Sequence, residues 1–128
     1  MAMKQLLLIT VAMLAMGSSA VGQTAREPYV RVAEIEIDPA QMEAYITALK
    51  EQVETALRLE TGVLAVYSVG DKEMPAHVTI FEIYADAAAY NEHLKTAHFK
   101  KYQTATKDIV KSLKLRETVP VLLAVKSK

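Results

Sequence analysis

Residues 62–102 read GVLAVYSVGDKEMPAHVTIFEIYADAAAYNEHLKTAHFKKY: two apolar runs, then two histidines five residues apart. Val63 to Val69 and His77 to Tyr84 are rich in β-branched and aromatic side chains, which suit a pleated, half-buried surface. The run between them, GDKEMPA, carries the Gly, Asp and Pro of a hairpin loop. Asp86 then opens a helical segment that runs to about Lys95. Thr96 stands as a fresh N-cap, so His93 and His98 flank a break between two helical pieces.

Outward from this block the pattern stays simple. On its N-terminal side, Tyr29 to Ile37 alternates as a strand and stops at Asp38-Pro39, with Pro39 near the first helical position. Gln41 to Glu60 then reads as an amphipathic helix. Met42, Tyr45, Ile46, Leu49, Val53, Ala56 and Leu57 recur at helical spacing, with Glu43, Lys50, Glu51, Glu54 and Arg58 mostly on the other face. Gly62 follows as a C-cap. On the C-terminal side, Phe99, Tyr102, Ile109 and Leu113 predict a helix from Ala97 to about Leu113, and Thr118 to Val125 a closing strand with Pro120 at an edge or bulge.

The order β-α-β-β-α-β is an α+β, ferredoxin-like arrangement, with helices on one face of a four-stranded antiparallel sheet. Both strand parities are apolar. Val63, Ala65 and Val69 alternate with Leu64 and Val66, and Val78 and Ile80 alternate with Phe81 and Ile83. A sheet with one wet face would alternate polar and apolar residues, so the second face is expected to lie against another sheet.

The chain begins differently. Lys4, the apolar run Leu6 to Met16 and the small residues Gly17, Ser18, Ser19 and Ala20 follow the order of a secretory signal peptide, with cleavage expected after Ala20 or Gly22. The run is shorter than the ~20 residues of a membrane span, so no stable membrane insertion is expected after cleavage. Residues 1–22 are therefore assigned to the leader and 23–128 to one domain, periplasmic or secreted. The sequence has no cysteine, so disulfides cannot brace that domain. With 15 basic and 15 acidic residues, bulk charge recruits no nucleic acid. An apolar content of 52% in so short a chain instead predicts that a second subunit covers part of the surface.

The stretch EIYADAAAYNEHLKTAHFKKY, with HLKTAHF at its centre, resembles the strand, helix and HLxTxHF signature of the antibiotic biosynthesis monooxygenase family, whose likeness extends from Val30 to about Leu123. The resemblance implies a homodimer in which two sheets form an α+β barrel. It also implies a pocket between helix and sheet, and in some members oxidation of a phenol or quinol by O2 without metal or flavin.

Three residues are candidates for chemistry. On one continuous helix His93 and His98 would stand about 140° apart, so they make a poor metal pair, and no third ligand follows at a recognisable spacing. No metal and no cofactor is expected. Glu82 interrupts the apolar strand TIFEIY, where a carboxylate must be paired, with Arg31 or a backbone group, or shifted in pKa. Tyr67, Tyr84, Tyr90, Phe99, Tyr102 and Arg31 are the candidates for contact with a flat aromatic ligand. Each has a structural reading as a core, capping or interface residue.

The activity implied is a cofactor-independent monooxygenase acting on a quinol-like or phenolic substrate with molecular oxygen. His98 is the preferred base, and His93 and Tyr67 are the candidates to orient the ligand; isomerisation of a small sugar derivative, also known among proteins like this family, would use the same base with Glu82 as its partner. The rival is a non-enzymatic dimeric binding protein for an apolar or aromatic small molecule. Haem degradation, known among relatives, is disfavoured because the chain has no tryptophan to ruffle a haem. No GxGxxG, P-loop or nucleophile elbow is present, which removes local support for nucleotide-dependent or serine-hydrolase chemistry.

Overall fold

The computed structural model describes residues 27–128, so the expected leader lies outside the described residues. Four strands and three helices follow in the order β1 (Tyr29–Ile37), α1 (Met42–Leu59), β2 (Val63–Gly70), β3 (His77–Tyr84), α2 (Ala87–His93), α3 (Ala97–Thr106) and β4 (Val110–Glu117). The sheet is antiparallel with strand order β2-β3-β1-β4, the ferredoxin-like arrangement that the sequence predicts. Among the described residues no helix is long and apolar enough to cross a membrane.

Local chemistry sets the boundaries. Asp38 accepts a hydrogen bond from the Ala40 N–H (3.0 Å), and Pro39 begins a 3-10 turn, Pro39–Gln41, that feeds α1. Asp86 caps α2 through the Ala89 N–H (2.7 Å), and Thr96 caps α3 through the Phe99 N–H (3.3 Å). The Thr96 hydroxyl also donates to the His93 carbonyl (2.7 Å), so this one side chain closes both ends of the predicted break.

Strand parity places the core. Ala33, Ile35 and Ile37 of β1 pack with Val78 and Ile80 of β3 and with the fully buried Tyr45 of α1. A second cluster joins Ala56, Val63 and Tyr84. Burying a side chain such as Ile37 contributes about 1.5–3 kcal/mol, so the alternate positions of β1 hold α1 on the sheet. On α1 itself Tyr45, Gln52 and Ala56 face inward, whereas Ile46 and Leu57, expected on the apolar face, are exposed.

Two expectations are corrected at the C-terminal end. The helix predicted to reach Leu113 stops at Thr106, and the strand predicted over Thr118–Val125 is not formed there; the closing strand is Val110–Glu117. The Ile109 carbonyl accepts from the Asp38 N–H (2.9 Å), which turns the chain beside β1, and alternation then takes over. Leu113 and Leu115 pair with Ile35 and Ala33, while Lys114 and Arg116 point the other way beside Glu34. The Ile109/Leu113 spacing that suggested a helix straddles this turn. Beyond β4 the Thr118 hydroxyl donates to the Val30 carbonyl (2.8 Å), and Val119, Val121, Leu122 and Val125 remain exposed.

Gly62 also has a different reason from the one expected. Its φ is not positive, so it is not a left-handed C-cap; Glu60, in an extended conformation, ends α1. A Cβ at Gly62 would lie 2.5 Å from Ala89 Cβ, so the glycine permits the start of β2 to touch α2. Gly62→Ala should therefore destabilise the fold by about 1–3 kcal/mol through overpacking. Urea unfolding measures this, and unchanged stability would show that α2 gives way freely.

Candidate functional site

The helices cover the sheet unevenly. α1 packs on β2 and α3, and α2 on β2 and β3, which leaves Leu113 and Leu115 on the inner side of β4 56% and 51% exposed. Between that strand and the α2–α3 layer lies a cavity of about 550 Å³. Ala33, Ile35, Ile80, Leu94, Phe99, Val110, Leu113 and Leu115 make its apolar wall, and Arg31, Glu82, Tyr84, Tyr90, His93, Tyr102, Gln103, Thr106 and Lys107 its polar positions. A cleft of about 580 Å³ lies by Glu34, Glu36 and His77, but all of its titratable residues are exposed. The cavity with buried ionisable groups is the stronger candidate.

Glu82 reaches this cavity because position 82 shares its parity with Ile80 and Tyr84 on the helix-covered face of β3. Burial raises its carboxyl above the ordinary glutamate range, opposed by a hydrogen bond from the Tyr84 hydroxyl (3.1 Å) and by the charges of His93 and Arg31. Arg31 stands directly across from it in the β1–β3 register, yet no ion pair joins the two among the described residues. The guanidinium instead donates to the Tyr29 hydroxyl (3.1 Å), lies 3.6 Å from Glu117 and covers the Tyr90 ring at 4.5 Å. Burial also pushes up the phenols of Tyr84, Tyr90 and Tyr102, so these stay protonated as hydrogen-bond donors at neutral pH.

The two histidines meet on a residue the sequence reading missed. Glu60 Oε2 accepts from His93 Nδ1 (2.8 Å) and from His98 Nε2 (2.6 Å), while His93 Nε2 meets the Gln52 amide at 2.9 Å. Both facing histidine nitrogens donate to the Glu60 carboxylate, which leaves His93 Nε2 to the Gln52 amide. Glu60 closes α1 and lies 33 residues before His93, so no local spacing signals it; Gln52 is legible only as a polar residue on the buried side of α1. The break at Thr96 lets both rings turn toward one carboxylate.

Of the residues singled out from sequence, Arg31, Glu82, Tyr84, Tyr90, His93, Phe99 and Tyr102 line the cavity together. His98 does not line it; its ring stands beyond His93, with centroids 6.0 Å apart. Tyr67, 57% exposed, projects from the opposite sheet face across from Phe81. The ligand-type atoms of Glu60, His93 and His98 lie within 4.8 Å of one another and form a set able to meet a divalent ion. Their contacts of 2.6–2.8 Å are those of shared protons, and a metal at about 2.0–2.2 Å from each would have to spread them.

Residues 28–105 match the family model described as antibiotic biosynthesis monooxygenase. A crystal structure from Bacteroides thetaiotaomicron, assigned by name to antibiotic biosynthesis monooxygenases, is 49% identical, covers 80% of this chain and 97% of its own, and superposes with a TM-score of 0.75. A structure named as a monooxygenase from Lactobacillus acidophilus is 30% identical over 69% of this chain but only 42% of its own longer one, with a TM-score of 0.68. One from Nitrosomonas europaea shares the fold at 19% identity, covering 73% of this chain and 99% of its own at a TM-score of 0.69. No match was found among curated proteins.

The raised carboxyl of Glu82 has a consequence for stability. A carboxyl raised on folding favours the folded state while protonated, and that advantage is lost as pH rises through its folded value. Glu82→Gln removes the loss. Its stability relative to wild type should be flat below about pH 4, the ordinary glutamate range, and should grow in favour of the variant as pH rises above it. Urea denaturation of both proteins between pH 4 and 8 checks the sign, and a difference that does not vary with pH would show that Glu82 ionises freely.

Proposed function

Because the chain belongs to the antibiotic biosynthesis monooxygenase family, we propose that its cavity takes a phenolic or quinol-like aromatic and oxidises it with molecular oxygen. The observation that carries this reading is Glu82, a half-buried carboxyl that desolvation raises above the ordinary glutamate range, on the wall of a cavity with a large apolar face. A carboxylate raised in this way is a stronger base than an exposed glutamate and is suited to take a phenolic proton. The apolar wall is suited to a flat ring, and about 550 Å³ accommodates a two- or three-ring system.

Glu82 accepts the proton of a ring hydroxyl, and the phenolate passes one electron to O2. Aryloxyl radical and superoxide then combine at a ring carbon, and the peroxide loses water with the proton returned from Glu82. For a quinol the balance is quinol plus O2 to hydroxyquinone plus H2O. The role of base, expected at His98, moves to Glu82, because His98 is held on Glu60 outside the cavity wall. His93 has both ring nitrogens engaged, so it forms wall and electrostatic surroundings rather than a free base.

The working unit in this reading is a homodimer. Tyr67 and Val69 are 57% and 64% exposed on the sheet face away from the helices, beside the half-buried Val32, Phe81 and Ile83. Val119, Val121, Leu122 and Val125, exposed beyond Thr118, are further apolar surface for a second subunit to cover. The leader-like residues 1–22 motivate a periplasmic or secreted location.

Sedimentation of residues 23–128 at micromolar concentration should give twice the chain mass, and Tyr67→Glu with Val69→Glu should give the single mass; a wild-type monomer removes the dimer from the reading. Oxygen uptake with a panel of reduced quinols and phenols tests the chemistry. Glu82→Gln should lower the rate about 100-fold or more, and His98→Ala substantially less. Tight ligand binding with no oxygen uptake across the panel would replace the monooxygenase with a small-molecule binding protein.

A further inference from the structure

Arg31 is a buried charged group of the cavity whose donors are only partly met. It is 7% exposed, and of its fork only one terminal nitrogen is engaged, by the Tyr29 hydroxyl at 3.1 Å with Glu117 at 3.6 Å. Its Nε–H finds no acceptor among the described residues, although it is cut off from water. Buried donors almost always find partners, because leaving one unmet costs the full desolvation of that group. Glu117 does little to neutralise the cation, since its side chain is 79% exposed.

The register makes this informative. β1 is a central strand, and Arg31 has Glu82 directly beside it on β3 and Glu117 directly beside it on β4. The guanidinium leans toward Tyr29 and Glu117, and Glu82 toward Tyr84, so a cation and a carboxyl on neighbouring strands border the same cavity without meeting. Cross-strand neighbours have Cβ atoms about 4.5–5.5 Å apart, so a ligand that meets both side chains must carry its two polar groups close together.

We propose that Arg31 and Glu82 together form a subsite for an aromatic acid bearing a hydroxyl next to its carboxylate, the carboxylate on the unfilled Nε side of Arg31 and the hydroxyl on Glu82. A planar fork matches a carboxylate with two parallel N–H···O bonds, a geometry a lysine could not reproduce. The Tyr90 ring over the guanidinium holds it in place without consuming its donors. The proposal rests on the aromatic-cavity reading above and narrows it from neutral quinols to ortho-hydroxy acids. In oxidation the hydroxyl on Glu82 is the one that loses its proton, and Arg31 lies beside the oxyanion that forms.

Three probes of one shape test it by calorimetric titration into the mature dimeric or monomeric protein as isolated: 1-hydroxy-2-naphthoate, its methyl ester and 1-naphthol. The acid should bind at least ten-fold more tightly than ester or naphthol. Arg31→Met should abolish that preference, binding all three alike, and Arg31→Lys should keep only part of it. Equal binding of the three by wild type, or a preference that survives Arg31→Met, overturns the subsite while leaving the aromatic cavity standing. Failure of all three to bind overturns both. The wild-type comparison of acid against ester decides the matter even if Arg31→Met does not fold.

Discussion

One carboxylate oxygen organises the helical half of this protein. Glu60 Oε2 receives an N–H from His93 and another from His98, and through them it joins the end of α1 to the last residue of α2 and the first turn of α3. Hydrogen bonds to a charged group are each worth about 1.5–3 kcal/mol, and here two converge on an oxygen largely shielded from water. The Gln52 contact to His93, the Tyr45–Tyr102 hydroxyl pair (2.9 Å) and the Lys101–Glu51 ion pair add further ties from α1 to α2 and α3. Neither α2 nor α3 reaches the ~12 residues at which a helix begins to hold on its own, so their place depends on what they are tied to.

That tie determines where the cavity falls. With α2 and α3 drawn toward the end of α1, α2 covers β2 and β3 and α3 lies along α1, which leaves Leu113 and Leu115 of β4 facing open space. The gap is bounded by one wall of helix and one of sheet. Glu82 and Arg31 belong to the sheet wall, His93 and Tyr90 to the helix wall, so the site's polar groups stand on elements held independently of any ligand. A rigid frame of this kind suits chemistry in which the protein has to position a ring and take one proton.

Much of this was legible in the chain. Period-two alternation from Tyr29 and from His77 gave β1 and β3 to the residue, and helical spacing from Met42 gave α1 within a residue or two. Thr96 as a cap was readable because a threonine after Lys95 and before a fresh apolar face has few other uses. The closing strand was misplaced because Ile109 and Leu113 lie at helical spacing across a turn, while the alternation of Leu113, Leu115 and their lysine and arginine neighbours is short and charged. The site was half legible: Glu82 stood out as a carboxylate in an apolar strand, and the histidines by their spacing. Glu60 and Gln52 did not, because their role arises only when the end of a long helix folds back on residues more than thirty positions away.

β1 carries two assignments on alternate residues. Arg31, Ala33 and Ile35 face the cavity, while Val30 and Val32 lie on the sheet face opposite the helices, across from Ile83 and Phe81. Pleating keeps the two sets apart: a change at an odd position alters the cavity, and a change at an even one alters the surface proposed for a second subunit. The backbone between them is common to both. The carbonyl of Val30 is held by Thr118, and on either side of it Tyr29 anchors one nitrogen of the Arg31 guanidinium. The start of the exposed C-terminal segment and the cavity's buried cation are thus fixed within three consecutive residues of one strand. Assembly through that segment and that sheet face would therefore bear on the position of Arg31 through the strand itself, with no side chain of the partner needing to enter the cavity.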